Sequence, residues 1–118
     1  MPTSVPGTEP TVAKPVRLRQ LAAADLDDAS EYYRHEAGEQ TALDFIDAVE
    51  RAIKRISRSP HLGSLRFAYE LAIPDLRAWP LQRFSHVVFY VVTDQEIDVW
   101  RILHTRRDVP TTLEPPET

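Results

Sequence analysis

The chain has 118 residues, 42% of them hydrophobic, a formal charge of −4 and no cysteine. That length suits one small core, the absence of cysteine excludes a disulfide scaffold and a thiol nucleophile, and the slight acidity argues against an indiscriminate nucleic-acid binder. No apolar run has the make-up of a secretory signal or the length of a membrane span, so the expected location is the cytoplasm.

Four of the ten prolines fall in the first fifteen residues and three in the last nine. Such ends bury too little apolar surface to offset the entropy of ordering. Residues 1–14 and 111–118 are therefore read as tails and residues 15–110 as one domain. All fourteen Lys and Arg lie between Lys14 and Arg107, so the body is nearer neutrality than the whole chain and has room for a local basic patch.

Val16 to Arg19 alternates like a first strand. Asp25 and Asp28 resemble the acidic start of a helix, whose apolar face, Leu26, Ala29 and Tyr33, continues to Ala37 before Gly38 stops it. From Glu39 a second helix carries the stripe Ala42, Phe45, Ile46, Val49, Ile53 and Ile56. Asp47 to Arg51 and Glu50 to Lys54 are acid-first pairs on its outer side, and Pro60 and Gly63 end it. Helices so closely joined fold back on each other and need a surface to cover. Leu76 to Trp79, bounded by Pro74 and Pro80, fits a second strand. Phe84 to Val92 and Ile97 to Leu103, joined by Thr93 to Glu96, read as an antiparallel hairpin. Val87 to Val92 is apolar throughout, as in a central strand. The predicted fold is α+β: an N-terminal strand, a two-helix antiparallel hairpin and a three-stranded antiparallel meander, forming one small antiparallel sheet covered on one face by the helices.

The hairpin leaves through a charged cluster, His104-Thr105-Arg106-Arg107-Asp108. The element order, Pro60 and Gly63 after the second helix, the segment LRAWPLQRFSHVVFYVV and above all WRILHTRRDV resemble the ParE branch of the RelE/ParE toxins of bacterial toxin–antitoxin pairs. The most specific part is the apolar strand through Tyr90, followed by a strand closing in Leu103-His104-x-x-Arg107-Asp108. The resemblance implies an intracellular toxin held in a hetero-oligomer by a ParD-like antitoxin, whose C-terminal segment wraps it. It further implies poisoning of DNA gyrase without catalysis by the toxin.

Toxins similar to RelE use the same scaffold to cleave messenger RNA at the ribosome, where the 2′-hydroxyl attacks the neighbouring phosphate. That chemistry needs a base, an acid and cations around the phosphorane. His104, Arg83, Arg101 and Arg106 are the residues able to fill those roles, yet Arg101 and His104 point to opposite faces of a regular strand unless a bulge intervenes. The only lysines, Lys14 and Lys54, lie elsewhere. A non-toxic antitoxin-binding module is a third reading.

Each candidate residue has an ordinary structural role beside its functional one. His104 and Asp108 can close the exit of the hairpin by hydrogen bonding. Arg106 and Arg107 are either solvated charges or an anion clamp. Arg77 and Arg83 flank Trp79 and Phe84, as arginines and aromatic rings do at interfaces, or they pack their stems on apolar neighbours. Tyr32 and Tyr33 cannot face the same core. The expected partner surface comprises Tyr32, Phe45 and Val49 on the helices with Arg77, Arg83, Trp79, Trp100, Arg106 and Arg107 around the sheet. Glu31 and His35 are spaced as a helix pair rather than a metal site, and no glycine-rich phosphate loop or serine elbow is present, so no cofactor, no metal and no sequence-specific nucleic-acid contact is expected.

Overall fold

The structure, a computed structural model, describes residues 13–105. Its elements are β1 (Val16–Leu18), α1 (Gln20–Ala37), α2 (Glu39–Arg58), a 3-10 turn (Pro60–Leu62), α3 (Arg66–Leu71), β2 (Arg77–Pro80), β3 (His86–Val92) and β4 (Ile97–His104). The strands form one sheet in the order β1-β4-β3-β2. β2, β3 and β4 make the expected antiparallel meander. β1 instead runs parallel to β4, with Val16 opposite Ile97 and Leu18 opposite Val99, so the sheet is mixed rather than wholly antiparallel. A parallel neighbour needs a long crossover, and the helical hairpin supplies it.

The first helix begins at Gln20, five residues before Asp25. The chain passes directly from strand to helix: the Arg19 amide donates to the Val99 carbonyl at 2.9 Å, and the Arg19 carbonyl accepts from the Ala23 amide. Asp25 is thus in the body of the helix, not at its positive end. Gly38, at φ 102°, separates the two helices in a conformation that a side chain would strain. The stripe of α2 is buried as expected at Ala42, Phe45, Val49 and Ile56, and Ala48 and Ala52 widen it. The acid-first pairs Asp47–Arg51 and Glu50–Lys54 are not among the ion pairs of the described residues. Lys14, assigned to the tail, is held against the body: its amide donates to the Ser57 carbonyl, and the Ser57 hydroxyl donates to its carbonyl at 2.6 Å.

β3 is buried from His86 to Tyr90. Its side chains alternate between two apolar clusters. Val88 and Tyr90 pack with Phe45, Val49 and Ile56 under the helical hairpin. Val87 and Phe89 pack with Leu76, Ala78 and Leu103 on the other face, where Phe67, Ala68 and Leu71 of α3 provide cover. The second face is therefore partly covered as well, by a short helix added to the expected hairpin. α3 is only six residues long, too short for its periodicity to stand out in the sequence.

Tyr90 ties these layers to the segment after α2. Its hydroxyl donates to the Pro60 carbonyl at 2.7 Å and accepts from the Gly63 amide at 3.1 Å. A Cβ at position 63 would lie 2.4 Å from that hydroxyl oxygen, so only glycine lets the backbone approach so closely. Burial pushes the Tyr90 phenol above its usual range, partly offset by the Gly63 hydrogen bond and the Arg77 charge. Replacing Tyr90 with Phe should cost about 1–3 kcal/mol in urea unfolding, because it strands a buried backbone donor. The sign with pH follows from the raised folded value. The phenol's contribution is whole below about pH 10, the unfolded value, and is lost as pH rises through the folded one, so the lead of the wild type over Tyr90→Phe should shrink above about pH 10.

Candidate functional site

Two of the arginines considered for function, Arg77 and Arg101, are engaged in building the fold. Arg101 donates from Nε and Nη2 to the two carboxylate oxygens of Asp25 at 2.7 and 2.8 Å, and the Ile102 amide donates to the same carboxylate at 3.0 Å. The cause is topological. β1 ends at Leu18 and pairs with β4 only as far as Val99, so Asp25 of α1 takes over the edge of β4 that β1 leaves uncovered. Arg19 pairs in a similar way with the buried Asp98 at 2.7 Å. Arg77 donates to the carbonyls of His61 and Gly63 at 2.9 and 2.8 Å, holding the turn that Tyr90 also grips.

The four residues weighed as a ribonuclease centre are not gathered. β4 has a register shift at Trp100, since Phe89 faces Arg101 while Tyr90 faces Val99. The bulge lies before Arg101, so the run from Arg101 to His104 stays regular and the two occupy alternate faces. His104 stands opposite His86, their rings 5.0 Å apart and near perpendicular. Arg83 sits at φ 74° in the loop before β3, 3.8 Å from Asp44 of α2, its guanidinium 5.6 Å from the Phe84 ring. Arg106, Arg107 and Asp108 lie outside the described residues.

The expected partner surface is redistributed as well. Phe45 and Val49, proposed as contacts, are 0% and 1% exposed and belong to the core, because the stripe of α2 is consumed by the sheet. Tyr32 remains at the surface with 43% exposure, while Tyr33 packs on Phe45 and Phe84. Trp79 and Trp100 do not share a surface: Trp79 packs with the helix-side cluster and Trp100 with the other. Glu31 pairs with Arg34 and His35 lies 3.6 Å from Glu36, so neither is directed at a shared site.

Two grooves flank the edge strand β2, one on each side. On the second face, a groove of about 390 Å³ has a floor of Ala78, Val87, Phe89 and Leu103 and a rim formed by the Arg66–Glu70 pair and His104. On the helix side, a groove of about 200 Å³ lies between Arg51 and Arg55 of α2 and the corner of Trp79, Leu81 and Gln82. Pro80 borders both. Apolar surface left on the second face is expected of a sheet with only two helices to cover it, whereas the helix-side groove has as its sequence signal only the spacing of Arg51 and Arg55 by one helical turn. Among the described residues no helix is long and apolar enough to cross a membrane.

The family model for the ParE toxin of the type II toxin–antitoxin system parDE matches residues 16–109. Toxin ParE1 of Caulobacter vibrioides is 33% identical over 95 residues, spanning 77% of this chain and 88% of that protein. A solved structure of the chromosomal ParDE system from P. aeruginosa superposes with a TM-score of 0.67 at 22% identity, over 78% of this chain and 96% of that one, and so supports the fold.

Asp25→Ala should lower stability by about 3 kcal/mol, because it leaves a partly buried guanidinium and a strand amide without their acceptor. Asp25→Asn should lose less, since it keeps an acceptor for Ile102; equal losses in chemical unfolding would show that the ion pair, not the edge cap, carries the effect.

Proposed function

This chain belongs to the ParE toxin family of type II toxin–antitoxin systems, and on that premise we propose that it poisons DNA gyrase and is neutralised by a ParD-like antitoxin. In this reading the toxin acts by binding. It traps gyrase with its DNA cut, and the antitoxin prevents this by wrapping the toxin in a hetero-oligomer.

The observation that carries the choice of a binding mode over RNA cleavage is the bidentate Arg101–Asp25 pair. A phosphorane-stabilising cation must be free to meet developing charge. Here the guanidinium is committed to a carboxylate, on the opposite strand face from His104. Neutralisation by an extended partner is supported by the apolar floor of the second-face groove, formed by Ala78, Val87, Phe89 and Leu103 beside the short α3. A segment that folds on binding can cover such a surface along its length. Tyr32 and Trp79 on the helix side and Trp100 on the second face remain candidate contacts of a partner that wraps the chain, and the cytoplasm, where gyrase works, is the compartment the reading requires.

Purified chain added to gyrase and supercoiled DNA should accumulate cleaved complexes, and a purified ParD-like antitoxin should abolish them. Messenger RNA cut in a translating ribosome system, with no effect on gyrase, would overturn the reading.

A further inference from the structure

Among the described residues, the cations that neither an ion pair nor a side-chain hydrogen bond engages are concentrated on one face of α2. Arg51, Lys54, Arg55 and Arg58 recur at three- and four-residue spacings, and all four are exposed. Among the described residues none of them has a carboxylate partner, in contrast to Arg17, Arg19, Arg34, Arg66, Arg83 and Arg101. Placing basic residues at a helix C-terminus stabilises the dipole, and this accounts for Arg55 and Arg58 in the last turn. It does not account for Arg51, two turns from the end, or for the concave apolar wall that Arg51 and Arg55 overhang. That wall is made of Ala48 and Ala52 on the helix, small enough to open a recess, facing Trp79 and Leu81.

We propose that this groove is a docking site for an acidic segment of the neutralising partner, with its carboxylates on Arg51 and Arg55 and an apolar side chain seated against Trp79. The proposal rests on the neutralisation reading and adds to it a place and a chemistry. Charge complementarity selects the partner: an exposed stripe of four cations favours a ligand segment that carries carboxylates. The recess selects a peptide over a nucleic acid, since its volume of about 200 Å³ suits one apolar side chain, whereas nucleic acid would follow phosphates along the helix without filling it. The sheet edge restricts how the segment arrives. Pro80 has no amide hydrogen to offer, and Ala78 already exchanges both backbone hydrogen bonds with Ser64 at 2.9 Å, so the segment cannot simply extend the sheet at β2. Because Pro80 borders both grooves, a segment crossing the edge there passes from the apolar floor of one face to the cationic groove of the other.

The test compares the full chain, its Arg51→Glu/Arg55→Glu variant and the charge-matched control Arg17→Glu/Arg34→Glu. The probe is the purified ParD-like antitoxin, titrated at low and high salt, with circular dichroism to confirm that each variant is folded. The expected result is a loss of roughly 30-fold in affinity for the groove variant at low salt, narrowing at about 0.5 M salt, and a change of at most about twofold for the control. Equal binding by the wild type and the groove variant would overturn the docking site and leave neutralisation standing. No complex with the wild type would overturn both. If the groove variant instead lost binding to a short DNA duplex, or lost self-association, with its affinity for the partner unchanged, the groove would serve another ligand and the proposal would fail.

Discussion

Burial of β3 on both faces is the constraint from which the rest of the structure follows. A strand with Val88 and Tyr90 on one side and Val87 and Phe89 on the other needs two apolar covers. The helical hairpin supplies the first through the α2 stripe. The second falls to α3, which is six residues long and covers only part of its face. The uncovered part is a groove with an apolar floor, and in a chain of this size that deficit is where a partner has most to gain. Tyr90 joins the two requirements, since its ring fills the helix-side core while its hydroxyl fixes the backbone from Pro60 to Gly63 that leads into α3.

Two groups of arginines among the described residues stand in contrast. One population closes the fold. Arg101 and Arg19 bind Asp25 and Asp98, while Arg77 binds two carbonyls, each at a place where the sheet would otherwise leave polar groups without partners. The other, on the C-terminal half of α2, faces solvent beside Trp79. Catalysis and recognition place different demands on a cation: catalysis needs it free and close to a proton donor, recognition needs it free and beside a complementary shape. Arg101 is not free, and Arg51 and Arg55 have the shape beside them.

The corrections to the sequence reading share one origin. Asp25 and Asp28 look like a helix start because acids favour that position, yet Asp25 is matched to Arg101, 76 residues away, and no local pattern encodes such a pair. Phe45 and Val49 were assigned both to an apolar stripe and to an interface, and the stripe could serve only one of them. Trp79 and Trp100 differ in face because Trp79 stands opposite Val88, on the helix side, whereas Trp100 alternates with Val99 and turns to the other side, a relation set by the pairing register of separate strands.

By itself the sequence determined what nearest-neighbour physics can encode: the two helices and the glycine between them, the central apolar strand, the four-residue turn at Thr93 to Glu96, and through its closing motif the family resemblance. Those features arise from periodicity and backbone preference, which act over a few residues. Only the tertiary structure decided the parallel placement of β1, the capping of the β4 edge by Asp25, the cover given by α3 and which cations stay free. Each of these depends on groups far apart in the chain meeting at a particular register, and register is set by the packing of the whole sheet against its helices.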